Sequence, residues 1–229
     1  MNVLVTGGSG GIGEAICRKF FKEGHKVIIG YCQSEEKART LAKEINGFAV
    51  KADVKNQAEV REMFDFAHNV CGKIDILINN AGVALKQGLF FDVTEEEFDK
   101  VFTINVKGTF NCCKYAVHDM LQSGKGSIIN VSSIWGIYGG SCEAVYSASK
   151  GAINAFTLAL AQELESASIT VNAVAPGMVD TAMNSHLTRD EIEEFVRSTE
   201  RGRMITPEEV AEKVYSLALS GKTGIIEEV

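Results

Sequence analysis

The segment Thr6-Gly7-Gly8-Ser9-Gly10-Gly11-Ile12-Gly13 leaves this chain few folds to choose from. It follows a short apolar run, Asn2–Thr6, and stands at the head of a helical stretch at about 11–23. Glycine tolerates a sharp strand-to-helix reversal and lets another group come close to the main chain. The helix beyond begins with peptide N–H groups that have no partner inside the helix, so the loop offers donors to an anion. Two patterns fit: Gly8, Gly10 and Gly13 as G-x-G-x-x-G, and Gly7, Gly11 and Gly13 as T-G-x-x-x-G-x-G. A strand before and a helix after is the context a dinucleotide pyrophosphate needs. Gly7, Ser9, Gly10, Gly11, Ile12 and Gly13 are therefore candidate cofactor contacts.

The rest of the chain continues the alternation. Apolar, β-rich runs lie at Asn2–Thr6, Lys26–Tyr31, Gly47–Lys51, Ile74–Ile78, Ser127–Val131, Ile169–Val174 and near Ile225–Val229. They lack in–out alternation, as expected of parallel strands covered on both faces. Helices are expected at about 11–23, 35–46, 56–71, 94–120, 144–165 and 207–220. Thr94 with Glu97 and Thr206 with Glu209 read as capping boxes, and Pro207 suits a first helical position. The expected fold is α/β: a single-domain, Rossmann-like, doubly wound parallel sheet with helices on both faces, spanning 1–229.

Composition closes other routes. The formal net charge of −7 disfavours nucleic acid and anionic membrane as partners. No apolar run is long enough to span a bilayer, and no basic and apolar leader opens the chain, so a cytoplasmic protein is expected. The 6 cysteines form no C-x-x-C pair and no His completes a ligand set, so no metal site is expected.

An acid at the end of the second strand would hold a ribose and repel a 2′-phosphate. Here Gly30-Tyr31-Cys32-Gln33-Ser34 brings none before Glu35. Gln33 and Ser34, with Lys37 or Arg39 nearby, favour NADP(H), with NAD(H) the other candidate. Tyr146 and Lys150 stand four apart near a helix start, so they share a face. A lysine ammonium favours the phenolate, which would make Tyr146 a usable acid and base. Ser133, just after the strand at 127–131, could hold a carbonyl oxygen.

These residues, with Asn79-Asn80-Ala81-Gly82, Asn105 and Pro176-Gly177, resemble the motif set of the short-chain dehydrogenase/reductase family over almost the whole chain. The resemblance implies reduction of a ketone by a nicotinamide cofactor. It makes Tyr146 the acid/base and has Lys150 lower its pKa and hold the nicotinamide ribose. Ser133 orients the carbonyl and Asn105 holds a relay water. It places Asn79, Asn80, Ala81 and Gly82 along the cofactor, Asp53 and Val54 at the adenine, and Pro176, Gly177 and Thr181 at the nicotinamide end. It also implies a homodimer or homotetramer through the helices at about 94–120 and 144–165, which carry Phe110, Tyr115, Phe156 and Leu160.

Within the family, the chain is similar to bacterial 3-oxoacyl-acyl-carrier-protein reductases, which implies a small-molecule or carrier-bound ketone. It departs from them in three ways. Gly10 stands where that group commonly has arginine. The sequence stops at Thr223–Val229 without the usual Asp-Gly-Gly, which bears on tetramer packing. The stretches before the fifth and sixth strands carry only Lys125 to meet an acidic carrier. The loop bearing Trp135, Cys142 and Glu143 resembles elongation factor P 5-aminopentanone reductases, which act on a modified lysine of a translation factor. In that reading Trp135 is an apolar wall and Glu143 meets a substrate amine. A family member without catalysis is the remaining alternative, opposed by intact Ser133, Tyr146 and Lys150.

Overall fold

Valine- and isoleucine-rich runs form seven strands: β1 (Asn2–Thr6), β2 (Lys26–Tyr31), β3 (Phe48–Lys51), β4 (Ile76–Asn79), β5 (Gly126–Val131), β6 (Ile169–Ala175) and β7 (Ile226–Glu228). In this computed structural model, which describes residues 1–181 and 202–229, all pair in parallel in the order β3-β2-β1-β4-β5-β6-β7. The order reverses direction between β1 and β4, which opens a crevice beyond the strand ends. The helices are α1 (Gly11–Lys22), α2 (Glu35–Glu44), α3 (Gln57–Cys71), α4 (Glu95–Phe102), α5 (Gly108–Ser123), α6 (Trp135–Tyr138), α7 (Ala144–Leu164) and α8 (Pro207–Ala218). The expected α/β sheet with helices on both faces is what forms.

The five central strands bury both faces, so two cores result, while the edge strands β3 and β7 stay partly exposed. Val3, Val5, Ile29, Ile78 and Ile129 pack under α1 and α8 with Ile16, Phe20, Val210 and Val214. Leu4, Ile28, Leu77 and Ile128 pack on the other face with Phe64, Cys112 and Met120. Burying one such side chain contributes about 1.5–3 kcal/mol. Both expected capping boxes form, on Thr94 with Glu97 and on Thr206 with Glu209, and Pro207 opens α8.

Two expectations need correction. The strand expected over Ile74–Ile78 starts later, because Ile74 and Asp75 are used at the strand's mouth. Ile74 N–H donates to Asp119, and Asp75 accepts from Asn2 N–H. The single helix expected over 94–120 is three pieces: α4, a π-helical turn over Thr103–Lys107, and α5. Tyr115 stacks on Phe64 at 5.7 Å while staying half-buried. Among the described residues no helix is long and apolar enough to cross a membrane, and no group of three or more His, Cys, Asp or Glu could hold a metal ion.

Candidate active site

The β1–α1 turn forms because only glycine fits it. Gly7 has φ +62°, and a Cβ on Gly13 would lie 2.2 Å from the Gly7 carbonyl oxygen. Gly10 caps α1 without a side-chain hydrogen bond, so no side chain competes for the first N–H groups of the helix. Asn80 fixes the loop from β4: its Nδ2 donates to the carbonyls of Thr6 and Gly7 at 3.1 and 3.0 Å. Thr6 Oγ1 accepts from the N–H groups of Asn80 and Ala81. Thr181 packs on the head of α1, close enough that a Cβ on Gly11 would fall 2.6 Å from its Cγ2. A bare, donor-rich, narrow cradle of this kind fits a dinucleotide's pyrophosphate.

The same edge of the sheet carries the other candidates. Past buried Tyr31 lie exposed Gln33 and Ser34. Asp53 follows β3, with Lys55 paired to it at 3.2 Å. Val54 is clamped between α5 and its own loop: Asn111 Nδ2 donates to its carbonyl at 2.8 Å, and Gly108 leaves room for its side chain. Asn79 turns away from the crevice. Its side chain is buried and donates to Asn130 Oδ1 at 2.9 Å, which ties β4 to β5.

At the far end of the crevice, β5 delivers Ser133 and α7 delivers Tyr146 and Lys150. Ser133 Oγ accepts from Trp135 N–H at 3.2 Å, which leaves its own proton free to turn towards the Tyr146 oxygen, whose ionised form it favours. Lys150 is buried. Its ammonium donates to the Val131 carbonyl at 2.8 Å and stands 5.6 Å from the centre of the Tyr146 ring. Burial lowers the lysine pKa to about 8. Burial also raises Tyr146 to about 12, opposed by the Ser133 hydrogen bond and reinforced by the charge of Glu143. The phenol's pKa is thus raised where lowering by Lys150 was expected: desolvation is the largest cause, and Lys150 is not among those acting on it. The phenol stays protonated at neutral pH, which suits a proton donor.

Asn105 sits in the π turn and is buried. Its Oδ1 accepts from Val83 N–H at 2.8 Å, and its Nδ2 donates to the Val83 carbonyl at 2.9 Å and to Ser149 Oγ at 3.1 Å. Both N–H bonds of its side chain are therefore spent. Gly82 lies where a Cβ would come within 3.6 Å of Lys150 Nζ, so Asn105, Gly82 and Lys150 converge. Pro176 accepts from Ile134 N–H at 3.1 Å, which seats Pro176 and Gly177 against the Ser133 turn.

Known proteins share this arrangement. The family model for short chain dehydrogenases matches residues 1–192. The chain belongs to that family. A 3-oxoacyl-[acyl-carrier-protein] reductase FabG of Staphylococcus aureus is 36% identical over 222 residues, covering 95% of this chain and 90% of the relative. Its namesake from Thermotoga maritima is 38% identical over 220 residues, covering 94% and 89%. The crystal structure of a 3-ketoacyl-(acyl-carrier-protein) reductase from Brucella melitensis complexed with NADH matches with TM-score 0.95 at 32% identity, covering 100% of this chain and 96% of that one.

Seen as a short chain dehydrogenase, the chain brings most expected residues together, with exceptions at the substrate side. Cys142 and Glu143 line one narrow cleft with Tyr146, Lys86 and Phe90. Trp135 lies elsewhere: its ring covers Gly140, where a Cβ would come 2.9 Å from Cδ2. Buried polar residues beside the site went unforeseen, among them Ser132, Ser149, Asn130 and Asn154. Their signal was polarity inside otherwise apolar stretches, at 127–131 and along 144–165.

Proposed function

We propose that this chain reduces the ketone of a 3-oxoacyl thioester, free or presented on an acyl carrier protein, to a secondary alcohol with NADPH. The observation that carries the reading is the meeting of Ser133, Tyr146 and buried Lys150 at the end of a glycine-lined crevice, in a chain whose relatives bear the carrier-protein reductase name. Gly7, Ser9, Gly10, Gly11, Ile12, Gly13, Asn80, Ala81 and Gly82 hold the dinucleotide along the crevice, Asp53 and Val54 its adenine, and Pro176, Gly177 and Thr181 its nicotinamide end. The bound cofactor supplies the hydride.

The chain's own residues manage the proton. Ser133 Oγ donates to the carbonyl oxygen and fixes it beside Tyr146. The protonated Tyr146 gives its proton to the oxygen as negative charge develops there. Lys150 supplies a positive charge under the site and a donor for the ribose. The side-chain N–H bonds of Asn105 are spent on Val83 and Ser149, so a relay water would be held there through an acceptor, either Oδ1, which takes one bond from Val83, or the backbone carbonyl, which takes one from Thr109 Oγ1 at 2.8 Å. One unit, 1–229, carries cofactor and substrate, works as a homo-oligomer, and acts in the cytoplasm, where its six unpaired cysteines suit a reducing milieu.

The test is NADPH oxidation with an acetoacetyl thioester, a carrier-bound 3-oxoacyl substrate and a 5-aminopentanone-modified elongation factor P, side by side. Turnover of the thioesters is expected, with Tyr146→Phe lowering it at least ~10²-fold while cofactor binding persists. Near wild-type turnover by Tyr146→Phe would overturn the mechanism. Turnover of the modified factor alone would overturn the substrate.

A further inference from the structure

Tyr146, Lys150 and Asn154 follow at intervals of four along α7, so they share one edge of the helix. Asn154 is 7% exposed and reaches away from its own helix to both ends of the turn that carries Ser133. Ser132 Oγ donates to Asn154 Oδ1 at 2.6 Å, and Asn154 Nδ2 donates to the Gly136 carbonyl at 3.0 Å. A carbonyl only accepts, so these partners fix which way the amide points. The turn lies hard against the helix. A Cβ on Gly136 would fall 2.7 Å from the carbonyl carbon of Lys150, and Ser132 Oγ is also 3.4 Å from the Lys150 carbonyl oxygen.

We propose that Asn154 is a positioning residue for the reaction, holding the Ser133 turn against α7 so that the Ser133 hydroxyl stays within reach of Tyr146. The proposal rests on the roles given above to Ser133 and Tyr146. Ser133 and Tyr146 stand on different elements, a post-strand turn and a helix, and their contact is only as constant as the link between the two. The Asn154 amide supplies that link inside the protein, one helical turn beyond Lys150. The turn has a second anchor, the Ile134 N–H bond to the Pro176 carbonyl at 3.1 Å on the far side. Loss of Asn154 therefore loosens the turn without releasing it. A slip well under one helical rise is enough to matter, since misplacing a reacting group by about 1 Å can slow a reaction ~10²-fold.

Asn154→Leu keeps the bulk, adds no charge and removes both hydrogen bonds. Ser132→Ala removes one of them with less disturbance and carries the same comparison should Asn154→Leu not fold. Each is expected to lower turnover ~10- to 100-fold with cofactor affinity held. Placed on Ser133→Ala, neither is expected to lower turnover further, because both act through that hydroxyl. The rise of alcohol oxidation with pH is expected to move to higher pH in Asn154→Leu, as in Ser133→Ala, because the Ser133 hydrogen bond favours the phenolate. Losses that multiply with Ser133→Ala, with an unmoved pH profile, would overturn the proposal and leave Asn154 a stabilising residue only. Near wild-type turnover in Ser133→Ala and Tyr146→Phe would instead remove the reading beneath it.

Discussion

Lys150 is a cation held in the interior by one backbone carbonyl. Its pKa falls from 10.5 to about 8 because burial disfavours the charged form. The sign follows. Between pH 8 and 10.5 the unfolded chain holds a proton that the folded chain has lost, so stability rises with pH across that window. Below pH 8 both states are charged and the folded protein bears the full penalty. Lys150→Met is thus expected to stabilise the fold at pH 7 by ~1–3 kcal/mol, net of the bond lost to Val131. The gain should shrink to nothing above pH 10.5, while turnover collapses. Denaturant unfolding of both proteins at pH 7 and 10.5 checks it, and an equal difference at both pH values would refute it. Cofactor choice is also expected to turn on single residues. Gln33 and Ser34 stand exposed past Tyr31, and Arg39 is engaged by Glu35 at 2.8 Å. With no carboxylate there, NADPH is expected to bind more tightly than NADH, and Gln33→Asp to reverse the order by repelling the 2′-phosphate. Fluorescence titration of both cofactors decides it. Equal affinities in the parent protein would mean that Gly10, which offers no side chain to a 2′-phosphate, matters more than the missing acid. These residues were legible in the sequence because their chemistry depends on local spacing. The burial that sets the pKa values of Tyr146 and Lys150 was not, because it depends on what packs over them.

Helix ends and strand runs were legible because caps and apolar runs are local. The π turn over Thr103–Lys107 was not, because one extra residue in a turn hardly disturbs a helical hydrophobic pattern. That turn is where Asn105 leaves the helix line to bind Val83. Asn105→Ala strips Val83 of two partners at once, leaving its part-buried N–H and carbonyl unpaired, while Ser149 loses one donor and keeps its bond to the Tyr146 carbonyl. A loss of ~2–4 kcal/mol is expected, from penalties of about 1–3 kcal/mol for each such group. The loss should be local as well as global: exchange of the Val83 amide should quicken more than that of amides in β1. Urea unfolding with hydrogen exchange measures both. A stable variant with Val83 still protected would show that the turn holds without its asparagine. The cross-strand asparagines belong to the same scale. Asn130 pairs with Asn79 on β4 and with Thr157 on α7, and Asn172 anchors the approach to β7 through Lys222 and Ile225. Their positions in apolar runs signalled unusual residues. Their partners lie 27 to 53 residues away along the chain, beyond any local pattern.

At the scale of the whole molecule, the described residues leave an apolar face uncovered. Phe98 stacks on Phe102 at 4.4 Å while remaining 43% exposed, and Phe110 is 49% exposed. Phe102, Thr103, Val106, Phe110 and Phe156 line one open groove between α4, the π turn, α5 and α7. Of the aromatic residues singled out from sequence, Phe110 and Phe156 line this groove, while half-buried Tyr115 stacks on Phe64. Sequence periodicity distinguishes apolar from polar residues, but not which core an apolar residue serves. A second copy of the chain would bring the same groove to meet it across a two-fold axis, and a stable pairing buries ~1,200–2,000 Å² in all. At least a dimer is therefore expected at micromolar concentration by light scattering. Phe110→Glu places a charge at the centre of the face on each copy, so two carboxylates oppose each other where apolar side chains would meet. That variant should fall by one assembly step, from tetramer to dimer or from dimer to monomer, with its fold unchanged by circular dichroism. A parent protein with monomer mass would refute the interface outright. An unchanged mass for Phe110→Glu would move the association to another face of the molecule.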